Sequence, residues 1–403
     1  MARRTHIRLP GARRLPPVGD EFVSVEALGA FALLGAAVAA LVWANVAGHN
    51  YADAWHTNLT VGVGDFEITE DLRHWVNDGL MAIFFFVVGL EIKRELVEGD
   101  LRDPKTATLP VFAAIGGMVL PAALFFALNP GAPARDGWGI PVATDIAFAV
   151  GVLALLGPRV PKPLKLFLLT LAIVDDIGAI LVIAVFYSSG VSGQWLAGAV
   201  ATLLAFFVLQ RLGIRNPLFY VVPGVVLWLC MFESGVHATI AGVILGLLTP
   251  NQQWRGQPVI GRLERAIHPW TSFLIVPLFA LANAGVDLGG GVLGDALGSR
   301  ITLGVVVGLV VGKTVGISTA VAVAVRLGLG RLPTGVRPSQ IVGVASVAGI
   351  GFTVSLFIAE LSFAGTRHLD DAKIGILAAS VISGVLGALV LVRRPRRDRT
   401  VAS

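Results

Sequence analysis

Twelve apolar runs, most of them close to 20 residues long, divide this chain of 403 residues. They fall near 25–46, 77–97, 107–129, 140–157, 163–187, 194–212, 216–232, 235–249, 270–287, 300–326, 338–362 and 372–393. About 20 apolar residues in a helix reach across the ~30 Å hydrocarbon core of a bilayer, where each backbone N–H and C=O must be satisfied within the segment. The pattern predicts an all-α polytopic membrane protein with about twelve transmembrane helices. Composition points the same way, with 55% hydrophobic and only 14% charged residues against about 25% charged in soluble domains. The 48 glycines and 21 prolines fit closely packed, interrupted helices. The single cysteine, Cys230, excludes an internal disulfide.

A net charge of +5 would ordinarily raise the question of a nucleic-acid partner. Here the basic residues sit in short connectors, so no nucleic acid is expected. Of the 31 lysines and arginines, 25 lie in the two ends and one alternate set of connectors, 5 lie in the other set, and Lys313 lies inside a span. The positive-inside rule then places both termini in the cytoplasm. Residues 1–24 carry Arg3, Arg4, Arg8, Arg13 and Arg14 without an apolar core, which reads as a basic cytoplasmic tail rather than a cleaved signal peptide. Residues 25–393 form a single transporter domain, and 394–403 form a second basic cytoplasmic tail.

Two spans are interrupted. Pro141 and Pro158 leave sixteen residues between them, ~24 Å of helix at 1.5 Å per residue, so the fourth crossing needs non-helical chain to complete it. The segment before it, "NPGAPARDGWGI", is too polar to face lipid. In the eleventh crossing "GIGFT", Gly349 to Thr353, weakens the helix at mid-depth. Broken backbone at that depth lines a cavity or is covered by protein; kinks that serve packing alone are the other reading. Gly304, Gly308, Gly312 and Gly316 recur every four residues in the tenth crossing, a stripe suited to close helix contact. Outside the membrane, residues 59–69 alternate about Gly64-Asp65, which predicts a periplasmic β-hairpin, either a contact for a homodimer or a plain loop.

The charges inside the spans carry the chemistry. Asp145 in "PVATDIAFAV", Asp175 and Asp176 in "LAIVDDIGAI", and Lys313 in "VGKTVGIS" are read as the four ionisable residues well inside. Each opposes insertion by ~2.5–3.5 kcal/mol, which packing alone does not require. Lys313 neutralises one aspartate or takes part in transport, and either way an acidic excess remains. Asp175 and Asp176 lie ~100° apart around their helix, so one faces an ion path and the other a partner. Two carboxylates this close titrate as a coupled pair and can bind protons or a small hard cation, to which the Thr144 hydroxyl and carbonyls freed by the broken helices would add oxygen ligands. Competition of proton and cation for one alternately accessible site is sufficient for exchange. Two competing carboxylates would exchange more than one proton per monovalent cation, which makes transport electrogenic.

From about residue 26 to 393 the chain resembles the NhaA family of bacterial Na⁺/H⁺ antiporters. The likeness is carried by "NDGLMAIFFFVVGLEIKREL" (77–96), "ATDIAFA" (143–149), "LAIVDDIGAI" (171–180), "SGVHATIAGV" (234–243), "HPW" (268–270), "PLFALANAG" (277–285), "GKTVGIS" (312–318) and "GIGFTVSLFIA" (349–359). The resemblance implies inverted-topology repeats, with the fourth and eleventh helices discontinuous and crossing near the midplane of the bacterial inner membrane. It implies exchange of Na⁺ (or Li⁺) for H⁺, two protons in for each sodium out, with no cofactor and no catalytic residue. Asp176 with Asp175 would hold Na⁺ or protons. Lys313 would pair with Asp175 or balance the negative ends of the crossing helices, and Asp145, beside Thr144, would balance their positive ends. A pH-responsive charge cluster would comprise Glu91, Lys93, Arg94, Glu95, Glu264 and His268. Arg265 stands where the family often has histidine and does not titrate near neutrality, and His237 is a sensor or a packed hydrogen-bonding residue.

Two other classes compete. A sodium-coupled symporter for organic anions would share the architecture but need a large polar pocket. An intramembrane aspartyl protease also needs two membrane aspartates, but "DDIG" and "TDIA" lack its GxGD-type pattern.

Overall fold

The computed structural model describes residues 20–393 except 48, 65, 189, 215, 252, 255 and 256. The arginines of the N-terminal tail and the whole C-terminal tail lie outside the described residues, and the first helix already begins at Asp20. Each of the twelve apolar runs is largely helical. Among the described residues, seven helices are long and apolar enough to cross a membrane alone, or nine when each of two bent pairs is one span. The segments Pro217–Glu233 and Thr239–Leu248 are shorter apolar helices. The run at 77–97 is helical with charged residues at its end, in Met81–Val97.

Two boundaries differ from expectation. The eighth run starts as a turn and becomes helix only at Thr239, because Gly235 takes φ +78°, which a helix does not accommodate. The ninth helix is continuous over Val259–Asn283, eleven residues longer at its start than the apolar run. Glu264, Arg265 and His268 therefore sit on the helix itself. Its first turns bury Val259 and Ile260 and expose Arg265, so one apolar face is enough to make them helical despite their charge.

The two bent pairs are the expected broken spans. Ala134–Val142, a tight 3-10 segment, and Ile146–Arg159 meet at 41°, and Pro338–Val347 and Phe352–Phe363 meet at 47°. The polar stretch before Pro141 is thus wound into the protein, with Gly137, Gly139 and Ile140 buried. At Gly349 an added Cβ would stand 2.4 Å from the Leu309 carbonyl oxygen, so this glycine permits a close backbone approach.

The glycine stripe is a packing seam. A Cβ would meet Asn129 Nδ2 at 2.5 Å from Gly304, Pro141 Cβ at 2.6 Å from Gly308, Pro121 Cα at 2.8 Å from Gly312 and the Gly116 carbonyl oxygen at 2.1 Å from Gly316. Only glycine lets the helix Arg300–Arg326 lie this close to Pro104–Leu128 and the first broken pair. Outside the spans, β1 (Asn58–Val63) and β2 (Phe66–Asp71) pair antiparallel, with Thr60 opposite Thr69, one residue longer at one end and two at the other than expected. Asp65 of the turn is outside the described residues. The hairpin is closed by Asp71, whose carboxylate accepts from the His74 N–H at 2.7 Å, His74 Nδ1 at 2.9 Å and His56 Nδ1 at 2.9 Å. A second, two-residue hairpin, Gln253–Trp254 with Gln257–Pro258, was not expected from the sequence.

Candidate functional site

The two breaks meet. The Asp145 N–H donates to the Ile350 carbonyl at 2.7 Å, and the Thr144 hydroxyl donates to the Ala348 carbonyl at 2.8 Å. Groups released where each helix stops are therefore satisfied by the other broken helix, as burial demands. Asp145 caps both half-helices that start here. Its Oδ1 accepts from the Phe148 N–H at 3.0 Å, and its Oδ2 accepts from the Thr353 N–H at 3.0 Å and the Thr353 hydroxyl at 2.7 Å. A buried carboxylate between two helix N-termini is held by charge-assisted hydrogen bonds and by both helix dipoles. Thr353 is a main partner that the sequence reading did not assign, although it ends the "GIGFT" stretch.

Asp175 and Asp176 lie near the middle of the helix Lys162–Phe186 and are both buried. Their side chains diverge. Asp175 Oδ2 accepts from Lys313 Nζ at 2.6 Å, with Lys313 fully buried and Thr144 on the same side. Asp176 instead lines a cavity of about 70 Å³ that it shares with Thr144, Asp145, Thr353, Glu91 and His268. Among the described residues, Asp176 Oδ1 has no hydrogen-bond partner. The charges that act on Asp176 are Asp175, Glu91, Asp145 and Lys313. Lys313 follows a widened π-turn over Val307–Gly312, a departure from regular helix common at functional sites.

The charge cluster is only partly brought together. Arg94 Nη1 donates to Glu264 Oε1, with Arg265 and His268 in the electrostatic neighbourhood of Glu264. Lys93 Nζ donates to the Leu247 carbonyl at 2.9 Å. Glu95 accepts from the Asp100 N–H at 3.0 Å, a local loop contact. Glu91 and His268 line the cavity with Asp176. His237 is half-buried, and its Nε2 donates to the Tyr187 carbonyl at 2.7 Å.

Besides the four ionisable residues read as well inside the spans, further charges are buried nearer the span ends. Glu264, Glu360 and Lys373 are also buried, and Lys373 Nζ stands 2.8 Å from Glu360 Oε1. Glu360 and Lys373 lie at the ends of apolar runs and Glu264 lies in the charged stretch before the ninth, where sequence cannot tell a buried charge from a solvated one. Among the described residues no group of three or more His, Cys, Asp or Glu is placed to hold a metal ion. Oxygen ligands for an alkali cation would come instead from single carboxylates, hydroxyls and carbonyls.

The family model described as Na+/H+ antiporter 1 matches residues 20–391. Na(+)/H(+) antiporter NhaA 2 of Sorangium cellulosum (strain So ce56) is 46% identical, over 95% of this chain and 92% of its own length. Na(+)/H(+) antiporter NhaA 3 of Frankia alni is 46% identical, over 95% and 90%. Na(+)/H(+) antiporter NhaA of Escherichia coli O139:H28 is 47% identical, over 91% and 95%.

Proposed function

The chain belongs to the Na⁺/H⁺ antiporter 1 (NhaA) family, and from that premise we propose that it extrudes Na⁺ or Li⁺ electrogenically, two protons entering per cation, across the bacterial inner membrane with both termini cytoplasmic. Asp176 is the group for which cation and proton compete, and Asp175 completes the pair. Alternating access exposes them to one side at a time. Lys313 neutralises Asp175. Asp145 holds the crossing together, with Thr144 and Thr353 locked to it and to its partner helix.

The observation that carries this reading is the unequal treatment of the carboxylates. Asp145 has three donors and Asp175 an ammonium, whereas Asp176 faces a small polar cavity. About 70 Å³ holds about two water molecules at ~30 Å³ each, enough for a partly hydrated alkali ion and too little for a large organic anion, which favours the antiporter over a symporter for such anions. Within the charge cluster, His268 is the residue whose ordinary pKa range spans neutrality. It borders the Asp176 cavity and acts electrostatically on Glu264, so we assign the pH response to it rather than to Arg265. The hairpin, with Leu59 and Val61 exposed, is the face we assign to a homodimer.

The test uses everted vesicles energised by respiration. Adding Na⁺ or Li⁺ should dissipate the pH gradient, and K⁺ should do so far less. No response on either side of neutrality would refute the reading.

A further inference from the structure

A larger cavity lies remote from the aspartates. It has a volume of about 700 Å³ and lies between the start of the helix Pro104–Leu128, the start of Lys162–Phe186 and the connector 328–333. Three membrane helices begin or end there, so the cavity sits where headgroups meet hydrocarbon. Its lining is divided. Lys105 and Arg331 supply two cations against the single carboxylate of Asp100, and neither cation makes an ion pair among the described residues. The opposite wall is apolar, with exposed Leu166 and Leu329 beside buried Leu109 and Phe167. Leu166 and Leu329 are 49% and 46% exposed and present apolar surface in the same cavity as the two cations.

The polar groups of the lining are already committed as donors. Thr106 donates to the Asp100 and Asp103 carbonyls, and Thr108 donates to the Pro104 carbonyl. Recognition thus falls to the two cations, which select an anion and discriminate little else. Arg102, Lys162, Lys165 and Arg326 stand within two residues of lining positions, against Glu98 and Asp103, so the rim has the same sign as the pocket. The connector folds over the site through Gly328, at φ +72°, and Gly330, where an added Cβ would lie 3.2 Å from Leu109 Cβ.

We propose that this cavity binds an anionic phospholipid of the adjoining leaflet, its phosphate held between Lys105 and Arg331 and one acyl chain laid along Leu166 and Leu329. Basic pockets between membrane helices suit such headgroups. A free inorganic anion would satisfy the cations but use none of the exposed apolar surface in the cavity. A zwitterionic lipid would cover the leucines but bring its own cation to the two basic side chains.

The test is native mass spectrometry of the full-length purified protein titrated with phosphatidylglycerol. Wild type should retain a tightest lipid that Lys105→Gln with Arg331→Gln binds about thirtyfold more weakly (about 2 kcal/mol for two cations). Phosphatidylcholine adducts should be weak and equal in both. Lys105→Arg with Arg331→Lys keeps both charges and should restore binding. Arg337→Gln with Arg393→Gln removes the same charge from positions outside the cavity and should leave the tightest lipid in place. Equal phosphatidylglycerol binding by wild type and the doubly neutral variant would overturn the proposal. So would displacement of the lipid by inorganic phosphate, which would assign the two cations to a free anion.

Discussion

Replacing Asp145 and Asp176 separately with asparagine should divide stability from transport. Asp145 is 2% exposed and caps two helices at once. A nearby anion stabilises a helix N-terminus by about 0.3–1 kcal/mol at the surface and up to ~2 kcal/mol when partly buried. Two termini in a buried setting therefore give about 2–4 kcal/mol. A count by hydrogen bonds agrees: Asp145→Asn keeps one acceptor oxygen, while the new amide N–H₂ faces donors, and one lost bond to a charged group is worth about 1.5–3 kcal/mol. The two counts describe overlapping contacts and are not added. The purified D145N protein should thus melt at lower temperature by the equivalent of about 2–4 kcal/mol, yet still dissipate the pH gradient of everted vesicles at a reduced rate. Asp176→Asn should do the reverse. It removes a buried charge that opposes insertion by ~2.5–3.5 kcal/mol, so melting should be unchanged or raised while exchange disappears. Loss of exchange in D145N with unaltered melting would make Asp145 a ligand, and retained turnover in D176N would move the ion site elsewhere.

Thr353→Val deletes the hydroxyl that donates to Asp145 at 2.7 Å and should lower stability by about 1.5–3 kcal/mol, read by thermal unfolding; a change within error would show that the backbone N–H alone holds the carboxylate. Gly316→Ala puts a Cβ 2.1 Å from the Gly116 carbonyl, and the forced separation should cost about 1–3 kcal/mol or more, whereas normal stability and exchange would mean that the helix seam gives way freely. The hairpin clip depends on pH in a defined window. Burial pushes Asp71 up, but the His74 N–H and the His56 and His74 side chains outweigh it and hold the carboxyl below its ordinary 3.8. Burial lowers His74, and Asp71 more than reverses this, so His74 lies above 6.5. The Asp71 contribution is present above 3.8 and lost as pH falls through its lowered value; the His74 contribution is complete below 6.5 and lost as pH rises through its raised value. Amide hydrogen exchange in residues 58–71, corrected for intrinsic rates, should show most protection between those two ordinary values, and Asp71→Asn should flatten the profile.

The parts of this fold legible in the sequence are those where one residue type conflicts with its surroundings. Asp145, Asp175, Asp176 and Lys313 stand out because apolar runs exclude charge, and the breaks stand out because proline and glycine interrupt those runs. Helix geometry also required Asp175 and Asp176 to diverge, but not which would face the cavity, since that depends on Lys313, 138 positions away. The Asp145–Thr353 bridge joins residues 208 apart and exists only once the broken helices cross. Glu360 and Lys373 stayed hidden because a charge at the end of a run opposes insertion little, and only packing shows it to be buried. The ninth helix was cut short for a related reason: its first turns are charged on one face, and hydropathy averages over both.

Charge counting at the crossing bears on the second proton of the proposed two-for-one exchange. Asp145 stands against two helix N-termini and is held by three donors. Asp175 is balanced by Lys313 at 2.6 Å. Of these four groups Asp176 alone is left over, and one proton or one Na⁺ neutralises it, so exchange through Asp176 alone would move no net charge. Electrogenic exchange then requires the Asp175–Lys313 pair to open and one member to carry a proton. Lys313→Gln distinguishes the two. Without the ammonium a buried Asp175 is neutralised by a proton of its own, because an unpaired buried charge is destabilising by about 3–5 kcal/mol. Na⁺ bound between the two carboxylates would then displace two protons. Lys313→Gln should therefore lower the melting temperature yet keep uptake of ²²Na⁺ into everted vesicles dependent on membrane potential, and Asp175→Asn should remove that dependence. If Lys313→Gln instead exchanges ions without sensing the potential, the second proton belongs to the lysine, and Asp175 only anchors it.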